Sequence, residues 1–168
     1  MTEAGLSLGS NLGDRARHLE RARDRIRELP GVRMLAQSAL YETEPVGVAP
    51  EHAAKPFLNA VVIVESDAAP ARLARMLHEI ENETGRIRTN DRNAPRALDV
   101  DLLYAGPETI RSRELNLPHP RWAERRFVVQ PLAEVRPNLV LPGEPRTAAE
   151  VLSSLPPEPK VVLFRQNW

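Results

Sequence analysis

Apolar and polar positions alternate along 97–104, with Leu98, Val100 and Leu102 on one side and Asp99 and Asp101 on the other. A period of two predicts a strand with one buried face. Runs at 4–8, 32–41 and 57–65 predict three more strands, the last (FLNAVVIVE) being the richest in β-branched residues. Between them the period changes to that of a helix. Ala16, Leu19, Ala22, Ile26 and Leu29 predict a helix over 15–29 that stops at Pro30-Gly31. Leu73, Met76, Leu77 and Ile80 form a second stripe. Ser66-Asp67 is its expected cap, Pro70 lies in its first turn and Gly85 is its expected left-handed stop.

The order strand, helix, strand, strand, helix, strand predicts an α+β chain with a ferredoxin-like βαββαβ core. In that arrangement the sheet is antiparallel and both helices lie on one face. Beyond the core, 109–117 predicts a hairpin or two short strands, 121–132 and 147–155 two helices, and 161–164 a last strand after the proline-rich turn 156–159. The 168 residues fit one domain, 1–168, with room for a real core. Net charge is zero, which argues against a nucleic-acid partner. Cysteine is absent, which excludes disulfides, thiolate metal sites and a cysteine nucleophile. The longest apolar run, 60–64, is too short to span a bilayer, and no signal peptide is visible. A soluble, cytoplasmic monomer without membrane contact is expected.

Candidate chemistry concentrates in 85–104. Asp99 and Asp101 share a strand face about 6.5–7 Å apart, and two carboxylates that close ionise together when a cation compensates them. Hard oxygens on a rigid strand suit Mg²⁺ that also binds substrate phosphates. Arg86, Arg88, Arg92 and Arg96 precede the pair in a polar, turn-prone segment, and their guanidinium forks match phosphate oxygens. Together they suggest a metal-dependent polyphosphate site. A solvated strand face and a solvated arginine loop are the plainer alternative. Gly9-Ser10-Asn11-Leu12-Gly13-Asp14 lacks the lysine and hydroxyl of a Walker loop, so it reads as a strand-to-helix turn capped by Asn11 or Asp14. The connection 42–56 is long for a compact domain, which suggests function.

The run Pro95-Arg96-Ala97-Leu98-Asp99-Val100-Asp101-Leu102-Leu103, with Arg86 and Arg88 before it, resembles the signature of 6-hydroxymethyl-7,8-dihydropterin pyrophosphokinases of folate biosynthesis. The Gly9–Gly13 turn, Thr43, Pro45, Gly47, Phe57-Leu58-Asn59-Ala60 and Leu117-Pro118-His119-Pro120-Arg121 extend the likeness over nearly the whole chain. The resemblance implies transfer of pyrophosphate from ATP to the pterin hydroxymethyl oxygen, with release of AMP. It implies two Mg²⁺ on Asp99 and Asp101, with Arg86 and Arg96 as further catalytic residues. ATP would be held by Arg86, Arg88, Arg96, Leu102, His119 and Arg125. The pterin would be held by Thr43, Val46, Phe57, Asn59 and Phe127, and the loops 42–56 and 86–97 would close over both substrates. Without the family, Phe57 and Phe127 read as core residues and His119 as a loop histidine.

Three positions depart from the family pattern. Asn93 stands where many members carry tryptophan, His78 where glutamine is frequent, and Glu114 where an arginine can contact ATP. Two other functions share parts of the pattern: a ferredoxin-like nucleic-acid-binding module, and another Mg²⁺-dependent enzyme such as a nuclease or nucleotidyltransferase. The first would want aromatics and basic charge on an open sheet. The second would want a third carboxylate, for which Glu81 is the nearby candidate.

Overall fold

The computed structural model describes residues 1–44, 56–84 and 97–168. Its main sheet contains β1 (Thr2–Ser10), β2 (Val32–Gln37), β3 (Leu40–Thr43), β4 (Phe57–Ser66), β5 (Asp99–Ala105) and β8 (Val161–Arg165). The order is β5-β1-β4-β3-β8, every pairing is antiparallel, and β2 also pairs with β4. The predicted strand 32–41 is therefore one strand broken at Ser38-Ala39. Ser38 bridges the break, because its hydroxyl accepts from Val61 N at 2.9 Å and donates to Ala39 O at 2.8 Å. With β2 and β3 counted together, β1 to β5 give the ferredoxin-like order, and β8 widens the sheet at one edge.

Helices α1 (Arg15–Arg27) and α2 (Pro70–Glu83) bury the expected stripes, Ala16, Leu19, Ala22 and Ile26 on the first and Leu73, Leu77 and Ile80 on the second. They pack against Leu6, Leu8, Leu58, Ala60, Val62, Val100 and Leu102, which form one core. Met76 is only half-buried. Asp14 caps α1 as expected, accepting from Arg17 N. The expected cap of α2 does not form: Ala69 is the N-cap, and the Ser66 hydroxyl instead accepts from Ala68 N in a local turn. Gly85 lies outside the described residues.

The opposite sheet face is covered in part. The expected helix 121–132 divides into a 3-10 turn at Trp122–Glu124 and α3 (Arg126–Val135), and α4 (Ala148–Ser154) follows, opened by a capping box on Thr147 and Glu150. Their apolar side chains meet Val61, Ile63, Leu103 and Tyr104 in a second core. The expected hairpin forms from β6 (Ile110–Arg111) and β7 (Asn116–Leu117). Polar ties fix α3 in place: Glu134 accepts from Ala39 N at 3.1 Å and from the Tyr41 hydroxyl at 2.7 Å. Glu3 accepts from the Tyr104 hydroxyl at 2.7 Å and from Arg136 at 2.9 Å. Gly5 makes room for this corner, since a Cβ there would collide with the Tyr104 ring. α1 and α2 thus cover one face of the sheet and α3 and α4 pack on part of the other, while Val162, Leu163 and Phe164 of β8 stay exposed. No helix among the described residues is long and apolar enough to cross a membrane.

Candidate active site

The register of three strands assembles the site. Gly9 of β1 lies opposite Asn59 of β4 on one side and Asp99 of β5 on the other. Leu6, Leu8, Leu58, Ala60, Val100 and Leu102 face α1 and α2. By strand alternation, Gly9, Asn59, Asp99 and Asp101 face the other way. Asp99, Gly9 and Asn59 thus form one row, with Tyr41 of β3 beyond Asn59. Strand spacing puts Asp99 and Asn59 about 10 Å apart, over a position without a side chain. A Cβ on Gly9 would meet Asn59 Oδ1 at 3.1 Å, so glycine keeps the floor between amide and acid clear. Asp101 stands one row behind, across from Ser7.

Asn59 is buried, and its Nδ2 lies 3.4 Å from Thr43 Oγ1. Thr43 is itself buried and pairs in register with half-buried Phe57. These three expected pterin residues therefore share one end of the sheet. Phe127, in the first turn of α3, packs against the second core as a partly buried ring, and the Arg125 guanidinium lies 5.7 Å from its centroid. Burial and the charge of Arg121 lower the Arg125 pKa, against the opposing pull of Asp101 and Asp99. Arg125, the N-cap of α3, is thus within electrostatic range of both carboxylates.

His119 is anchored by its own N–H, which donates to Leu103 O at 2.7 Å. Burial first, then Arg125 and Arg121, push its pKa below the ordinary 6.5, with Asp99 acting the other way. Its Nδ1 accepts from Arg121 N at 3.2 Å, so the neutral ring carries its proton on Nε2. The ligand-free protein should accordingly show His119 titrating below 6.5 in a two-dimensional NMR pH series. Because folding lowers the affinity of this base for protons, its protonation opposes folding as pH falls below 6.5 and adds nothing above it. A midpoint at or above 6.5 would mean that Asp99, rather than burial and the two arginines, governs the ring.

Leu102 differs from the other described candidates: its side chain is buried in the α1/α2 core, on the face away from Asp99 and Asp101. Glu81 is also absent from the acid face. It is buried on α2, where Oε1 accepts from Val100 N at 2.7 Å and Oε2 lies 3.0 Å from His78 Nδ1. The third carboxylate wanted by the nuclease reading is therefore engaged with the backbone at the outer edge of β5, and no cluster of three metal-binding side chains occurs among the described residues. Glu114 is exposed in the β6–β7 turn. Val46, Arg86, Arg88, Arg92, Asn93 and Arg96 lie outside the described residues, as do most of both loops expected to close.

Sequence reading missed Gly9 as the vacancy in the row and Glu81 as the anchor of the acid strand. The signal for Glu81 was present, since it falls four residues after Leu77 on the apolar stripe of α2.

A family model for 7,8-dihydro-6-hydroxymethylpterin-pyrophosphokinase matches residues 5–137, most of the chain. The chain belongs to this family. A 2-amino-4-hydroxy-6-hydroxymethyldihydropteridine pyrophosphokinase of Methylorubrum extorquens is 40% identical over 157 residues, covering 94% of this chain and 96% of that protein. The protein of the same name from Bacillus subtilis is 41% identical over 132 residues, 79% of this chain and 77% of its own length. The pyrophosphokinase fold is also seen in a Plasmodium falciparum HPPK-DHPS structure, with a TM-score of 0.70 at 14% identity over 90% of this chain. This chain spans 43% of that longer one.

Proposed function

We propose that this chain, acting as one domain and as a cytoplasmic monomer, transfers pyrophosphate from ATP to 6-hydroxymethyl-7,8-dihydropterin in folate biosynthesis, releasing AMP. One observation carries the reading: a carboxylate and a buried amide flank a glycine in a single row, with a second carboxylate behind. The amide side suits a flat heterocycle. Asn59 can both donate and accept along its edge, Thr43 orders that amide, and Phe57 and Phe127 supply ring faces. Val46 would add a main-chain contact.

The acid side suits a magnesium–triphosphate complex. Asp99 and Asp101 offer hard oxygens from a rigid strand and leave most of an octahedral shell to phosphates and water. Two ions would be held there. Bound Mg²⁺ supplies charge neutralisation and a template that aligns attacking and leaving oxygens. The remaining work is electrostatic positioning by the chain itself. Arg125 and neutral His119 approach from the α3 side, and Arg86, Arg88 and Arg96 come from the segment that leads into β5. Any role for Leu102 in holding ATP falls to its main chain, because its side chain is in the core.

Product identity tests the proposal. With ATP, Mg²⁺ and 6-hydroxymethyl-dihydropterin, AMP should appear in step with pterin consumed. ADP as the nucleotide product would refute attack at the β-phosphorus.

A further inference from the structure

We infer that Arg15 is a positioning residue for the pterin site and that β8 braces it. The inference rests on the pterin reading above. Arg15 is the first residue of α1, on the sheet face opposite the proposed substrates. Its Nη1 donates to Pro56 O at 2.9 Å, and its Nη2 pairs with Glu42 Oε2 at 2.8 Å. Glu42 immediately precedes Thr43, and Pro56 immediately precedes Phe57. Thr43 and Phe57 are register partners and form the last rung between β3 and β4.

One guanidinium therefore ties together the two strand ends that present the ring and the hydroxyl. Among the described residues the β3–β4 ladder has three rungs, Tyr41 to Asn59, Glu42 to Leu58 and Thr43 to Phe57. On its other edge β3 pairs with β8 as far as Thr43 and Val161, and the Arg15 fork adds a tie from Glu42 to the chain entering β4 that neither ladder supplies. A planar fork can reach two acceptors in different directions at once, whereas lysine offers a single point of charge.

The brace comes from β8. The Phe164 ring lies 5.7 Å from the Arg15 guanidinium and 5.8 Å from that of Arg165, which pairs with Glu20 of α1 at 3.0 Å. Stacking on the ring limits the directions the Arg15 fork can take. Phe164 lies beyond the family match at 5–137, so the support comes from a segment the family pattern does not cover. Arg15 acts through Glu42 and Pro56 and touches no substrate.

Steady-state kinetics on the full chain test the clamp, each substrate being varied with the other saturating. Arg15→Ala should raise the pterin KM about tenfold while kcat and the ATP KM stay within about twofold. Arg15→Lys should behave nearly like alanine, and Phe164→Ala should shift the pterin KM the same way by about threefold. A lower melting temperature or lower kcat with an unchanged pterin KM would reduce Arg15 to a structural residue and overturn the inference. So would full rescue by lysine. Glu42→Gln, which keeps the bond to Pro56, gives the same KM readout if Arg15→Ala fails to fold. Asn59→Ala separates the two claims. An unchanged pterin KM there would sink the pterin site itself. A raised one beside a normal Arg15→Ala would sink only the clamp.

Discussion

Asp101→Asn and Asp99→Asn should each lower kcat about a thousandfold, the scale of losing a charge contact made at the reacting phosphates. Asparagine keeps size and hydrogen bonding but removes the formal charge proposed to hold a divalent cation, so the loss isolates the charge. Both aspartates are half-buried at one end of β5, with their side chains off the α1/α2 core. Their replacement should therefore leave circular dichroism unchanged and move the melting temperature by only about 2 °C. Raising Mg²⁺ should partly restore turnover, because the defect lies in cation affinity. Near-normal turnover of either variant at low Mg²⁺ would show that the pair is not the metal site. Collapse of the fold would show that the pair is structural.

Glu81→Leu should be the most damaging change outside the acid face. The β5 strand lies at the sheet edge, and the buried Glu81 carboxylate takes the Val100 N–H at 2.7 Å. Leucine fits an apolar stripe but leaves that N–H without its acceptor, at a cost of about 1–3 kcal/mol. Val100 lies between Asp99 and Asp101, so a shift of the strand moves both carboxylates. A misplacement near 1 Å costs on the order of a hundredfold in rate. Glu81→Gln retains a carbonyl acceptor and should recover most of both losses. If glutamine were as impaired as leucine, the charge of Glu81 rather than its hydrogen bond would be what the site needs. If leucine were harmless, pairing with β1 and packing against the helices would suffice to hold β5.

These two experiments separate a side chain that meets substrate from one that holds a strand, and a single sequence distinguishes them only in part. Asp99 and Asp101 were legible because charged residues are unusual in strands and their spacing of two puts them on one face. Glu81 was visible only as a charge on an apolar helix stripe, which suggested a third ligand. The structure ties it to the backbone at the outer edge of β5 instead. Leu102 shows the same limit, since adjacency to Asp101 in sequence means the opposite face in a strand.

Local periodicity, turn chemistry and the arginine–aspartate run determined the helices, the strands, the ferredoxin-like order and the acid pair, because each depends on residues close in the chain. Tertiary structure alone decided the row Asp99-Gly9-Asn59. That row depends on the registers of β1 with β4 and β5, which join residues 50 and 90 positions apart. It also decided that α3 and α4 pack on the second sheet face, that Arg125 lies within electrostatic range of the aspartates, and that Arg15 ties Glu42 to Pro56. Side-chain partners across such separations follow from how buried faces pack together, and no short stretch of sequence encodes them.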